Sequence, residues 1–270
     1  MNSHFENKVV WITGASSGLG EAMAKEFAAA KAKLVLSARR EDELNRVKKE
    51  CSQFIPADNI LILPLDITNL SGIDAAGQKI MQKFGRIDIL VNNAGVSQRS
   101  FIVDTPIEVE KKIMDINFFG TLAITKLALT IMRKQKSGHI VVMSSIMGKF
   151  GFYRRSMYAA SKHALHGYFE TLRMEEAQHN IHVSLICPGF VHTNISLNAI
   201  TETGKEFNKM DEDQKKGMQP QEVAKEVLKA VRNKRVEVLI GKSELMAPLV
   251  KRLFPRLFYW LIMREKRNRS

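Results

Sequence analysis

The sequence predicts an α/β fold: a single domain, doubly wound around a seven-stranded parallel sheet with helices on both faces. Three observations predict it. Short apolar runs alternate with longer charged or amphipathic stretches through most of the 270 residues. The runs are continuous rather than polar-apolar, as strands buried on both faces must be. No proline-rich or serine-rich linker and no internal repeat breaks the series, and strands separated by helices pair in parallel. One domain is expected over residues 1–247, including a long polar lid segment at 194–220, followed by an apolar and basic tail at 248–270.

The elements follow in order. Lys8–Thr13 (KVVWIT) is the first strand and Glu21–Ala30 the first helix. Lys33–Ala38 is a strand, and the charged stretch Glu41–Cys51 a helix. Asn59–Ile67 and Ile73–Phe84 form the third pair. Ile87–Gly95 is the fourth strand, Pro106–Lys134 a long helix, and His139–Ser145 the fifth strand. Met157–His179 is helix, His182–Gly189 strand, Gln221–Asn233 helix and Val236–Gly241 the last strand.

The chain is 45% hydrophobic and 26% charged, enough for a core and too apolar for a disordered protein. Cys51 and Cys187 are the only cysteines, which excludes a disulfide scaffold and suits a reducing compartment. A net charge of +13 points to an anionic partner. The basic residues are scattered and no recognition motif accompanies them, so nucleic acid is not expected. Val9–Thr13 is too short for a secretory leader, and Leu245–Met263 is interrupted by Lys251, Arg252 and Arg256, so no membrane span is expected. The reading is a cytoplasmic protein.

After the first strand comes Thr13-Gly14-Ala15-Ser16-Ser17-Gly18-Leu19-Gly20. One glycine makes the tight turn, one lets backbone approach a pyrophosphate, and one lets helix pack on strand. The helix N–H groups and dipole then hold phosphate. A plain strand-to-helix turn is the competing account, but three glycines in this position favour a dinucleotide. An NAD-selective site places an acid at the end of the second strand. Here the chain reads Ser37-Ala38-Arg39-Arg40, and arginine forks suit the 2′-phosphate of NADP, unless both are simply solvated. Asp66 can accept from the adenine amino group. Asn92-Asn93-Ala94-Gly95 lets backbone lie close to a ribose. Each of these last two is weak alone.

The catalytic candidates are Ser145, Tyr158 and Lys162. Only Tyr158 among four tyrosines has lysine at i+4, which puts both on one helix face. A nearby ammonium favours phenolate, so Lys162 is expected to lower the Tyr158 pKa toward acid–base duty near neutrality. Ser145 ends a strand, where its hydroxyl can bind the reacting oxygen. His163 and His166, and likewise His179 and His182, lack cysteine or carboxylate partners, so no metal is expected. Met147, Phe150, Phe152 and Tyr153 either line a pocket or fill core.

In this combination the sequence resembles the short-chain dehydrogenases/reductases, roughly from Asn7 to Gly241. T-G-x3-G-x-G matches Thr13–Gly20, N-N-A-G matches Asn92–Gly95, the mid-helix asparagine matches Asn117, Y-x3-K matches Tyr158 to Lys162, and P-G-x3-T matches Pro188–Thr193. The usual gap to the tyrosine selects Ser145 over Ser144. The stretch ICPGFVHTN through LNAITETG and the tail resemble the member 7 and 7B reductases and, more distantly, the 11β-hydroxysteroid dehydrogenases. Those relatives carry an N-terminal membrane anchor not found in this sequence, so their location is not carried over.

The resemblance implies a Rossmann-type domain and an NADP(H)-dependent oxidoreductase, preferring NADP(H) to NAD(H). It would move hydride between nicotinamide and the carbonyl or secondary alcohol of an apolar substrate: a steroid, lipid, quinone or xenobiotic ketone. Gly14, Ser16, Ser17, Gly18, Leu19 and Gly20 would hold the phosphates. Arg39, Arg40, Asp66, Ile67, Asn93, Ala94 and Gly95 would meet the adenosine half. Tyr158, Lys162, Pro188, Gly189, Val191 and Thr193 would meet the nicotinamide half. Lys162 would also bind ribose hydroxyls, and Asn117 would support a lysine-linked water chain. A homodimer or homotetramer through the helices at 106–134 and 157–179 is implied. The rival readings are a 3-oxoacyl-carrier-protein reductase and a non-catalytic NADP-binding sensor or scaffold. The tail, with seven bases against the single acid Glu265, fits an interfacial helix on the cytoplasmic membrane face or a flap over the protein's own surface or a partner subunit.

Overall fold

The computed structural model describes residues 4–267, with side chains to 264. Seven parallel strands form one sheet in the order β3-β2-β1-β4-β5-β6-β7. They are β1 (Val9–Thr13), β2 (Lys33–Ala38), β3 (Ile60–Pro64), β4 (Ile89–Asn92), β5 (Gly138–Met143), β6 (Ile181–Pro188) and β7 (Glu237–Ile240). Every side chain of β1 is buried, because helices cover both faces; that burial is what made the strand a continuous apolar run. The sheet reverses direction at β1, which pairs with β2 on one side and β4 on the other. The crevice beyond the carboxyl ends of β1 and β4 is the switch point where α/β sheets bind ligands.

One face of the sheet packs on α1 (Gly18–Ala29), α2 (Glu41–Cys51) and α8 (Pro220–Arg232), with Met23, Phe27, Leu44 and Val227 fully buried. The other packs on α3 (Leu70–Phe84), α5 (Gly120–Gln135) and α6 (Ser156–Glu176), with α4 (Ile107–Met114) lying against α6. Between α4 and α5 the backbone widens into a π turn at Asp115–Phe119, so the expected single helix carries a local bulge. The continuous run Ile107–Gln135 is long and apolar enough to cross a membrane by length and composition, a property the sequence reading had not assigned to any segment. Here it is built into the core: Ile113, Ile124, Ala128 and Met132 are buried within the fold.

Strands end earlier than their apolar text. Asp66 and Ile67 lie beyond β3, Asn93–Gly95 beyond β4, and Ser144 and Ser145 beyond β5. These residues are therefore loop residues at the carboxyl edge. The lid at 194–220 holds the short helix α7 (Glu212–Lys215) and is stitched down by bridges from Ile200 to Gln98 and from Met218 to Val191. The tail forms α9 (Met246–Leu253) and α10 (Pro255–Arg267). Phe258 tucks against Ile146 and Phe150, and the Lys251 ammonium donates to the Lys149 carbonyl at 2.9 Å. Most other tail apolar groups face out: Leu253, Phe254, Tyr259, Trp260 and Met263 are all more than half exposed. The tail thus folds over its own protein on one side only. The charges at Lys266, Arg267 and Arg269 lie outside the described side chains.

Candidate active site

A cleft of about 730 Å³ runs along the switch point. Gly14 takes φ +65°, and a Cβ there would come within 2.9 Å of Ala94 Cα, so both the turn and the approach of the β4 loop require glycine. At Gly20 a side chain would overlap the Gly14 carbonyl. Ser17 begins α1 with no side-chain cap, leaving the first-turn N–H groups for an external acceptor. Asn93 locks the floor: its amide donates to the Thr13 and Gly14 carbonyls at 3.0 and 3.2 Å, and Thr13 Oγ1 accepts from the Asn93 and Ala94 N–H groups. The cradle therefore fits a dinucleotide on its own geometry.

Of the residues singled out for the cofactor, Gly14, Ser16, Ser17, Gly18, Leu19, Arg39, Arg40, Asp66, Ile67, Asn93, Ala94, Gly95 and Thr193 line this cleft. Gly20, Tyr158, Lys162, Pro188, Gly189 and Val191 do not; Gly20 and Val191 are buried in packing. Asp66 spends one oxygen on Thr68, accepting from its N–H at 2.9 Å and its hydroxyl at 2.7 Å. Against its partial burial, these bonds and Arg39 hold the carboxyl below its ordinary range. Arg46 is committed to Glu21, Glu43 and Glu50, whereas Arg39 and Arg40 form no salt bridge among the described residues.

Beyond the cleft, Ser145 leaves β5 and turns toward Tyr158, whose hydroxyl it hydrogen-bonds. Ser145 Oγ also accepts from the Met147 N–H at 3.1 Å. Ser144 turns the other way, into the His166 ring and the Lys162 carbonyl. Lys162 sits one turn after Tyr158 on α6, its Nζ 5.7 Å from the tyrosine ring centroid and donating to the Met143 carbonyl at 2.8 Å. Asn117 lies in the π turn. Its side chain accepts from the Val96 N–H at 2.8 Å and donates to the Val96 carbonyl and Ser161 Oγ at 2.9 and 3.0 Å. The bulge is what aims Asn117 inward between α4 and α5.

The electrostatics differ from expectation. Burial pushes the Tyr158 hydroxyl above its ordinary range, and the pulls against it come from the Ser145 bond and the charges of Arg99 and Arg155. Burial also pushes the Lys162 amine down, to about 8, and its Nζ donates to the Met143 carbonyl. The histidine reading also needs correction. The fold brings Glu170 and Glu237 to within 4.8 Å of His166 as a ligand-like set, but Lys149 fills the centre, 2.7 Å from Glu237 and 3.2 Å from His166 Nδ1.

Sequence reasoning missed Gln98, which is fully buried and whose Oε1 accepts from the Met157 and Tyr158 N–H groups at 2.7 and 3.2 Å. It caps the catalytic helix from a loop 60 residues away. It also missed Glu244, whose carboxylate fits between Gly189 and Gly241 and accepts from the Phe190 N–H at 3.1 Å. A second cavity of about 530 Å³ opens after Ser145, walled by Met147, Phe150, Phe152, Phe190, Phe258 and Ile262. Tyr153 is not in it; its ring edges onto Phe101.

Comparison with known proteins agrees with this geometry. A family model described as short chain dehydrogenase matches residues 8–204. A dehydrogenase/reductase SDR family protein 7-like of Anopheles gambiae is 43% identical, covering 98% of this chain and 86% of that protein. Dehydrogenase/reductase SDR family member 7B of Bos taurus is 40% identical over 99% and 84%. Among solved structures, a short chain dehydrogenase/reductase from Burkholderia phymatum in complex with NAD superposes with a TM-score of 0.82 at 26% identity, covering 94% and 95% of the two chains. With its sheet order, glycine cradle and ordered motifs, the chain belongs to the short-chain dehydrogenase/reductase family of oxidoreductases.

Proposed function

We propose that the protein is an NADP(H)-dependent carbonyl reductase or alcohol dehydrogenase acting on an apolar substrate. The observation that carries this is the buried Tyr158 hydroxyl bonded to Ser145, with Lys162 on the same helix face, in a fold whose carboxyl edge holds a dinucleotide cleft and whose second, mostly apolar cavity opens at Ile146 and Met147, directly after Ser145. The bound nicotinamide supplies or accepts the hydride. Ser145 and Tyr158 bind the substrate oxygen, and Tyr158 gives or takes its proton. These donors stand in place before charge develops on that oxygen, which is where such sites gain most. Lys162 holds the ribose side of the site, and Asn117 fixes the β4 loop beside it. Turnover of a panel of ketones, quinones, steroids and acyl thioesters, scored by NADPH oxidation, tests the reading. A sensor or scaffold has no use for the Ser145–Tyr158 pair, and the aromatic cavity favours a compact apolar ketone over a carrier-bound thioester.

The preference for NADP rests on Arg39 and Arg40, exposed at the cleft and in no salt bridge among the described residues, where an NAD site keeps an acid. Arg39→Ala is expected to weaken NADPH about tenfold or more, the worth of a charge-assisted pair, and NADH little. Equal affinity of the parent protein for the two cofactors would refute the preference.

Assembly as a homodimer or homotetramer is read onto the outer faces of α4–α5 and α6, where Phe119 is 55% exposed beside Phe118 and Tyr168. Sedimentation at micromolar concentration is expected to show no monomer; a monomer ends that reading. The tail is read as a peripheral membrane contact of a cytoplasmic protein, since its outer side combines exposed apolar and basic groups.

A further inference from the structure

Tyr158, Lys162 and His166 stand at i, i+4 and i+8 on α6, along one ridge of that helix. Each meets the short stretch of chain that ends β5. The Tyr158 hydroxyl bonds Ser145. The Lys162 ammonium donates to the Met143 carbonyl at 2.8 Å. His166 Nε2 lies 3.1 Å from Ser144 Oγ, and that hydroxyl also donates to the Lys162 carbonyl at 3.3 Å. Residues 143, 144 and 145 are thus tied to successive turns of one helix. The rungs at Tyr158 and Lys162 belong to the site already described. The rung at His166 has no part in the reaction as given above.

The surroundings fix the state of the His166 ring. A lysine ammonium has three N–H donors and no acceptor. Lys149 Nζ lies 3.2 Å from His166 Nδ1, so Nδ1 presents its lone pair there. A neutral imidazole then carries its hydrogen on Nε2, and Nε2 donates to Ser144 Oγ. The donors all run one way: Lys149 to His166, His166 to Ser144, Ser144 to the Lys162 carbonyl. The other groups facing the ring are Glu170 on α6 at 3.6 Å, Glu237 on β7 at 3.7 Å, and Cys187 on β6, whose Sγ is 3.6 Å from Nε2. Glu237 accepts from Lys149 at 2.7 Å, which holds the ammonium at the ring. Burial and Lys149 together press His166 below its ordinary range against the pull of the two carboxylates. Gly148 closes over the pair: a Cβ there would come within 2.7 Å of Ser144 Oγ and 2.9 Å of His166 Nε2.

Two apolar side chains would fill this space without the cost of burying polar groups. What the polar rung adds is direction. Bonds on both sides of Ser144 Oγ set its rotamer. Ser145 is extended, at φ −165° and ψ 162°, and successive side chains of extended backbone point opposite ways. Pinning Ser144 toward His166 therefore aims Ser145 the other way, toward Tyr158, two turns or about 12 Å back along α6.

We propose that His166, held as its Nε2–H tautomer by Lys149, is a positioning residue: through Ser144 it fixes the strand end that aims the Ser145 hydroxyl at Tyr158. The proposal rests on the Ser145–Tyr158 pair being the proton-transfer site, and its test reads more than turnover.

The experiment is NMR of the full chain with saturating NADPH, 13Cζ-labelled tyrosine and ring-15N histidine. Tyr158 and His166 are identified among four tyrosines and seven histidines by loss of their signals in Tyr158→Phe and His166→Gln. The His166 ring is expected to be neutral near pH 7, with its hydrogen on Nε2; a charged ring or an Nδ1–H ring overturns the proposal. Lys149→Met is expected to raise the His166 midpoint by about one pH unit or more, since Glu170 and Glu237 remain; an unmoved midpoint overturns the part given to Lys149. His166→Phe is expected to move the Tyr158 resonance toward its position in Ser145→Ala, and His166→Gln, whose amide N–H takes the place of Nε2–H, to bring it most of the way back. On the best ketone of the panel, His166→Phe is expected to lower kcat about tenfold through misplacement at unchanged NADPH affinity, and His166→Gln to recover most of that loss. A Tyr158 resonance that stays put in His166→Phe while Ser145→Ala moves it overturns the proposal, as does a His166→Gln no better than His166→Phe. If Ser145→Ala leaves the resonance in place too, the Ser145–Tyr158 pair itself fails, and the proposal falls with the catalytic reading.

Discussion

Tyr158→Phe is expected to lower turnover by about 10²–10⁴-fold, the usual worth of a positioned general acid or base, while NADPH binding changes little. The two readouts separate because the ring and the hydroxyl do different work. The ring is 8% exposed and packed beneath the Lys162 ammonium, and phenylalanine preserves that packing. The hydroxyl alone meets Ser145 and, in the proposed reaction, the substrate oxygen. The cleft that holds the phosphates does not include Tyr158, so fluorescence titration with NADPH should give nearly the parent affinity. Rates of NADPH oxidation on the best ketone of the panel check the other half. Retention of most of the parent rate would show that the proton comes from elsewhere.

What could be read from sequence was what is local or periodic. Tyr158 and Lys162 share a face because a helix repeats every 3.6 residues, and the glycine cradle is contiguous with the strand that precedes it. The seven strands were legible because parallel strands buried on both faces are apolar throughout. Their ends were not: Asp66 and Asn93–Gly95 continue the strand text yet turn away, and the β4 loop is fixed by bonds to Thr13, 80 residues from Asn93 in sequence. The electrostatics of the site were illegible for the same reason. Asp211 pairs with Arg99 from 112 residues away and with Arg155 from 56, and no spacing rule connects them. The sequence offered Lys162 as the charge beside Tyr158. The fold keeps the Lys162 ammonium 5.7 Å from the Tyr158 ring centroid and also ties it to the Met143 carbonyl, a bond no spacing rule foretells. Glu237 meeting Lys149 across 88 residues likewise turned an isolated His166 into part of a filled ionic cluster.

The tail carries the second large expected effect. Its outward side presents Leu253, Phe254, Tyr259, Trp260 and Met263 together with Arg252, Arg256 and Arg264. Aromatic and aliphatic groups enter the acyl boundary while bases meet anionic headgroups, each base near the surface being worth about 1 kcal/mol. Those three bases together would make binding to acidic vesicles on the order of a hundredfold tighter than to neutral ones. Removing the whole tail is a poor test, because Phe258 packs on Phe150 and helps wall the apolar cavity, so truncation would disturb the site as well. Trp260→Glu with Leu253→Glu changes only exposed positions and leaves Phe258 in place. Flotation with phosphatidylserine-containing and pure phosphatidylcholine liposomes should show the parent chain rising with the acidic vesicles and the double variant staying at the bottom, with NADPH oxidation unchanged in solution. Two chains that float alike would mean that this side meets something other than lipid. A substrate that partitions into the bilayer would then have to reach the cavity behind Phe258 from water.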